Sequence, residues 1–198
     1  HHAVMDPIVW LTEHEGAQVV GISVDRKGFI DLAELEEVIE KYHDEISFIS
    51  IMHSNNEVGT LQDIAQVVKM ARDIPVHSDC VQSFGKVDLS FKKLGLTAAT
   101  ISAHKIGGPL GVAALILKKG LDIEPILHGG GQERDIRSGT FNTPGITAFA
   151  AAATDAVENR KERELKVREL KKELIQTIKK NVSDIVVNAD QERSLPGI

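Results

Sequence analysis

The sequence predicts an α/β fold: a mainly parallel sheet flanked by helices, followed by the start of a smaller C-terminal α+β domain. Three observations carry this. Short β-branched runs read as buried strands. Amphipathic helical patterns lie between them, the order a parallel sheet with crossover helices requires. From Pro144 onward the character changes to one long, highly charged helical stretch.

In chain order, the strand-like runs are Val19–Val24, Ile46–Met52, Pro75–Ser78, Ala98–Ser102 and Val112–Leu117. Asp31 has the short acceptor side chain of a helix N-cap, with Glu34 three residues on, and Leu32, Leu35, Val38 and Ile39 share one face. Asp63 opens a second helix whose inward side is Ile64, Val67, Val68 and Ala71. Pro144 suits a first helical turn. The alanine-rich stretch after it runs into a helix reaching Lys180, with Leu165, Leu170, Leu174 and Ile178 as its apolar stripe. Ile185–Val187 reads as the first strand of a second domain. The expected division is residues 1–145 as a large domain and 146–198 as the connecting helix and the beginning of a small one.

The 198 residues are 42% hydrophobic and 26% charged, enough to bury a core. A net charge of −6, with both signs mixed along the chain, gives no footprint for nucleic acid or an anionic membrane. No apolar run approaches a membrane span. The single cysteine, Cys80, excludes an internal disulfide framework and points to a reducing, cytoplasmic setting.

Four polar segments follow strand-like runs or lie in glycine-rich loops. Ser102-Ala103-His104-Lys105 precedes a Gly107-Gly108-Pro109 turn, and ligands of open α/β sheets bind beyond the carboxyl ends of strands. A partly desolvated lysine there could form an imine with a carbonyl. In His77-Ser78-Asp79-Cys80-Val81-Gln82, Asp79 could oppose a protonated ring nitrogen, and Gln82 lies one helical turn further on. The amides of Ser54-Asn55-Asn56-Glu57-Val58-Gly59-Thr60 could contact a ligand carboxylate. The loop from His128 to Thr140 offers backbone N–H groups and a hydroxyl suited to phosphate. Each segment also has an ordinary reading: Lys105 as a solvated surface lysine, Asp79 as a helix N-cap, 54–60 as a turn, 128–140 as a flexible loop. Their order decides. Three strand ends carrying Asn56, Asp79 with Gln82, and Ser102 with His104 and Lys105 would line one sheet edge, where a planar, phosphorylated cofactor would sit.

The run from Ser50-Ile51-Met52-His53-Ser54-Asn55-Asn56-Glu57-Val58-Gly59, through His77–Gln82, Ser102–Lys105 and His128-Gly129-Gly130-Gly131-Gln132-Glu133, to Arg137-Ser138-Gly139-Thr140 closely resembles cysteine desulfurases. These belong to the class V aminotransferase group of fold-type I pyridoxal-phosphate (PLP) enzymes. The resemblance covers almost the whole chain, and it implies a PLP-transferase-like large domain. It implies that Lys105 holds PLP as an imine, that Asp79 pairs with the pyridine nitrogen, and that Gln82 contacts the ring hydroxyl. Ser102 and His104 would bind the phosphate. Thr140 would reach the phosphate of the neighbouring subunit in a homodimer. Asn56 would lie near the ring oxygen and the substrate carboxylate, and His1 would stack on the cofactor ring. A terminal His1-His2 pair also fits a tag remnant, but Ala3-Val4-Met5-Asp6 favours the family reading.

The resemblance further implies conversion of cysteine to alanine, with sulfur passed to an enzyme persulfide and on to an acceptor such as an iron–sulfur scaffold or thiolation protein. Selenocysteine lyase and cysteine sulfinate desulfinase share the cofactor machinery. The chain opens without Met and stops at Leu195-Pro196-Gly197-Ile198, ends that read as cut points. It is expected to be a central fragment without the family's N-terminal glycine-threonine phosphate loop, its sulfur-accepting cysteine or its carboxylate-binding arginine, and inactive alone. Cys80 is expected to be a buried structural thiol. From a different class, a metal-dependent hydrolase would use His77, Asp79 and His104 as zinc ligands.

Overall fold

The computed structural model describes residues 1–198. Its centre is a four-stranded sheet in sequential order, with β1 (Ile49–Ser50), β2 (Val76–Asp79) and β3 (Ala98–Ser102) parallel and β4 (Ala113–Leu117) antiparallel at the edge. Parallel neighbours need crossovers. Two helices supply them: α3 (Ile64–Ala71) between β1 and β2, and the single turn α4 (Phe91–Leu94) between β2 and β3. Around these lie α1 (His2–Glu15), α2 (Leu32–Tyr42), α5 (Thr143–Glu158) and α6 (Arg160–Asn181).

The core lies on one face of the sheet. Leu35 and Ile39 of α2 and Ile64, Val67 and Ala71 of α3 pack with Ile49, Val76, Ala99 and Ile101 of the strands. The helices begin where short acceptors allow: Asp31 Oδ1 accepts from the Ala33 and Glu34 N–H groups, and Asp63 Oδ1 from Gln66 N–H. Glu34 does not complete a capping box, because its carboxylate accepts the Ser23 N–H at 2.7 Å instead. Asn142 caps α5, with Pro144 in the first turn.

The opposite face carries a polar row. Ser50 on β1 pairs with His77 on β2, Thr100 lies on β3 two residues past His77's register partner Ala98, and the His77 ring hydrogen-bonds both hydroxyls at 2.9 Å. Leu115, opposite Thr100 on β4, is exposed.

Several expected elements differ. Val19–Val24 forms no strand, only a bridge from Val24 to Ile30, since no strand pairs with it. The run 46–52 contracts to Ile49–Ser50, although parallel-ladder bonds continue through Ile51 and His53 to the His77 and Asp79 carbonyls. Ile185–Val187 is irregular, and Val186 is 80% exposed. The returning chain meets the fold further on, where Ser194 bridges Thr60 and Leu195 N–H donates to the Gly59 carbonyl. The long helix is two helices broken at Asn159, and its stripe of Leu165, Leu170, Leu174 and Ile178 lies exposed. Helical period identifies a face that favours burial; it does not supply the surface that buries it.

Candidate active site

Because β2 and β3 are parallel with Asp79 opposite Thr100, their carboxyl ends lie on one edge of the sheet. Asp79 is the last residue of β2 and only 6% exposed. Its Oδ1 accepts the Val81 N–H at 2.9 Å, and no lysine, arginine or histidine forms an ion pair with it. Cys80 N–H still donates to the Thr100 carbonyl; the chain then winds through a helical turn in which Phe84 N–H donates to the Cys80 carbonyl and Val87 N–H to the Ser83 carbonyl. That turn brings Gln82 and Lys86 to one side. Gln82 is 9% exposed, and its Oε1 accepts from Lys86 Nζ at 3.1 Å.

One strand over, Ser102 ends β3, and its Oγ shares a 2.7 Å hydrogen bond with His104 Nδ1. His104 and Lys105 stand on the 3-10 turn Ala103–Lys105, closed by the Ile106 and Gly108 N–H groups donating to the Ala103 carbonyl. Lys105 is exposed. Together with Lys86, Ile106 and α6 it lines a cleft of about 330 Å³, bounded on another side by Leu195–Ile198. A larger groove of about 630 Å³ between α2 and α3 shares no residue with this edge.

The β1 end joins the same edge through His53, whose N–H donates to the Asp79 carbonyl. Beyond it, residues 55–59 form a tight turn, in which Asn55 Oδ1 accepts from Glu57 and Val58 N–H and Gly59 takes φ +72°. Asn56, on that turn, is half-buried and its amide engages no group of the chain. Of the expected residues, Asp79 and Ser102 close β2 and β3, while Asn56 comes after β1, Gln82 after β2, and His104 and Lys105 after β3.

Two expected residues are not joined to this edge by any contact. His1 is exposed; its Nδ1 caps α1 by accepting the Ala3 N–H, and its ring meets only His2, edge-on at 6.5 Å. Thr140 is exposed at the end of the 128–140 loop, which is held by Gly139 N–H donating to Gln132 and Gly131 N–H to Ser138. The zinc alternative fails on geometry. No three His, Cys, Asp or Glu side chains converge, and both His77 ring nitrogens are committed to Ser50 and Thr100.

Two residues escaped the sequence reading. His53 is 7% exposed, its Nδ1 has no partner, and burial pushes its pKa down to about 4. Lys86 is lowered by burial and by the Lys105 charge. Its spacing of four from Gln82, once a helical turn is inferred there, is the signal that could have found it. Burial pushes the Cys80 thiol up to about 11, as suits a structural cysteine.

Fold and site together define an α/β protein whose candidate site lies at the carboxyl edge of three parallel strands. The chain belongs to the class-V aminotransferase family, whose profile it matches over residues 1–198. It is 40% identical over 200 residues to an IscS-like cysteine desulfurase of Mycobacterium tuberculosis, a match covering all of this chain and 51% of that protein. The X-ray structure of a NifS-like protein from Rickettsia africae superposes with a TM-score of 0.91 at 37% identity, covering 99% of this chain and 53% of that one. A structure of SspA in complex with cysteine matches 78% of this chain and 44% of that one, with a TM-score of 0.72 at 34% identity. The chain spans about half the length of the curated relatives it matches. None of its helices is long and apolar enough to cross a membrane.

Proposed function

We propose that the protein is a PLP-dependent cysteine desulfurase. The observation that carries this is the strand-end set itself: a buried carboxylate with no cation, an amide, a hydroxyl–imidazole pair and a lysine along one sheet edge. That donor set fits the cofactor. Asp79 supplies the anion a pyridinium nitrogen needs, Gln82 a donor for the ring oxygen, Ser102 and His104 the phosphate contacts, and Lys105 the amine for the aldehyde. When bound, PLP supplies the electron sink for cleavage at the amino acid's carbons. Lys105 would hold it and would carry protons at the substrate carbon. Asn56, with its amide free, would take the substrate carboxylate, and His1 would stack on the ring. Thr140, exposed and unengaged, serves the phosphate of the neighbouring subunit in a homodimer.

In this reading residues 1–145 form the PLP-binding domain and 146–198 lead into a second one. The substrate is cysteine, in keeping with the relatives' names and the cysteine bound to SspA. Its sulfur passes to a thiol, giving alanine and a persulfide. Cys80 is buried with its thiol pushed up to about 11, so the accepting thiol lies outside these 198 residues. The persulfide then serves an iron–sulfur scaffold or thiolation partner in the cytoplasm. The test is alanine release from cysteine by the full-length, PLP-loaded protein, with selenocysteine and cysteine sulfinate as competitors. Lys105→Ala is expected to lose turnover and to resist fixing of PLP by borohydride. A variant that released alanine as fast as wild type would end the assignment.

A further inference from the structure

We propose that Lys86 is a positioning residue, which fixes the Gln82 amide so that its NH2 end, not its oxygen, faces the cofactor ring oxygen. The inference rests on the PLP reading above and deepens it.

A glutamine amide has a donor end and an acceptor end, and only the donor end can stabilise a ring oxygen. Lys86 settles which end is presented. Its ammonium has three donors and no acceptor, and it lies 3.1 Å from Gln82 Oε1. Flipping the amide would set an NH2 group against the ammonium, donor against donor. The orientation therefore follows from the chemistry of the pair. The amide nitrogen makes no hydrogen bond in the chain, although Gln82 is only 9% exposed.

The pair is held rigidly. Gln82 and Lys86 are four apart on the helical turn after β2, and between them Gly85 takes φ +71°. A Cβ on Gly85 would lie 2.8 Å from Ala156 Cβ and 3.1 Å from Ile106 Cγ2, so the turn is wedged between α5 and the residue after Lys105. Lys86 and Lys105 line the same cleft.

No carboxylate neutralises Lys86. The charged groups sharing its cleft are Lys105, Arg160, Arg163 and Glu164, and the Glu164 carboxylate is taken by Arg160 and Arg168. A half-buried ammonium beside a second lysine costs stability. It suits a site that receives an anionic ring oxygen, which both the amide donor and the positive charge favour.

The test uses full-length, PLP-loaded protein and reads the pH midpoint of its visible absorbance. Losing a cation and a fixed donor near the ring makes the protonated chromophore easier to keep, so Lys86→Met is expected to raise the midpoint by about one pH unit. PLP affinity, titrated by fluorescence, is expected to fall about tenfold. Lys86→Arg keeps a donor and is expected to restore most of both. In a Gln82→Ala background the part of the shift that passes through the amide is expected to vanish, leaving a smaller effect of Lys86→Met. A midpoint unmoved by Lys86→Met, or moved equally with and without Gln82, overturns the proposal. Should Lys86→Met not fold, Lys86→Gln replaces it, because an amide at 86 lets Gln82 flip; an unmoved midpoint there overturns it too. If wild type binds no PLP, the functional reading itself fails, an outcome distinct from either of these.

Discussion

The His53 N–H donates to the Asp79 carbonyl at 2.9 Å, tying the end of β1 to the end of β2 beside the candidate site. The same link holds the His53 ring in a place where burial pushes its pKa down to about 4, with Nδ1 unpartnered.

This predicts acid sensitivity of a definite sign. The folded state resists protonating His53, while the unfolded chain accepts the proton near pH 6.5. Stability is therefore complete above about 6.5, falls as pH drops from there toward 4, and levels off below. The full loss is about 3 kcal/mol, of which about 2 kcal/mol falls between pH 7 and 5. Burial lowers His77 as well, which adds to the loss in the same direction. Urea denaturation at pH 7 and 5 measures this. His53→Leu is expected to flatten the slope, and an unchanged slope would show that His53 is not its source.

Cys80 is expected to be inert. Raising a thiol from 9.0 to about 11 lowers its thiolate fraction about a hundredfold, before burial blocks access at all. Peptide mapping after brief alkylation at pH 8 should find Cys80 unmodified in folded protein and modified in guanidinium. Prompt labelling of the folded state would contradict the buried reading.

The sequence was most legible where local chemistry and the fold agree. Ala98–Ser102 is a strand over the residues expected, Asp31 and Asp63 start helices through contacts their own side chains make, and Pro144 sits in the first turn of α5. The site's strand-end residues were legible for the same reason, since a polar residue closing an apolar run must leave the sheet at its edge. What failed depended on distant partners. Val19–Val24 and Ile185–Val187 have strand composition, but no strand of the chain pairs with them. The α6 stripe has the right period and no surface over it. Lys86 and His53 were missed because a lysine's reach to an amide four residues back depends on the turn between them, and an orphaned ring nitrogen is visible only in three dimensions.

Gly85→Ala tests the wedge under the site. Its φ of +71° is strained for any residue with a Cβ, and that Cβ would lie 2.8 Å from Ala156 Cβ. The expected loss is about 2–4 kcal/mol. Gly21→Ala, with open space around it, serves as the control and is expected to stay within about 0.5 kcal/mol or gain slightly. Equal effects of the two, measured by urea denaturation, would remove the wedge from the account.

Asp79→Asn separates what the carboxylate does for the fold from what it does for the chemistry. In the folded chain Asp79 is buried at 6% exposure without a cation, and its carboxylate accepts one hydrogen bond inside the chain, from the Val81 N–H. An amide keeps the shape and keeps an oxygen for Val81, while removing a buried charge that no cation of the chain pairs with. Stability without cofactor is therefore expected to stay within about 1 kcal/mol of wild type or to rise. The function should respond the other way. An amide gives the cofactor's ring nitrogen no anion, so turnover by the full-length, PLP-loaded protein is expected to fall about a hundredfold or more. Asp79→Glu keeps the charge on a longer arm and should recover part of that loss, which a purely structural role would not allow. If Asp79→Asn instead unfolded the protein while leaving the residual turnover per folded molecule intact, Asp79 would be a structural acid, and the strand-end site would lose the residue that ties it to PLP.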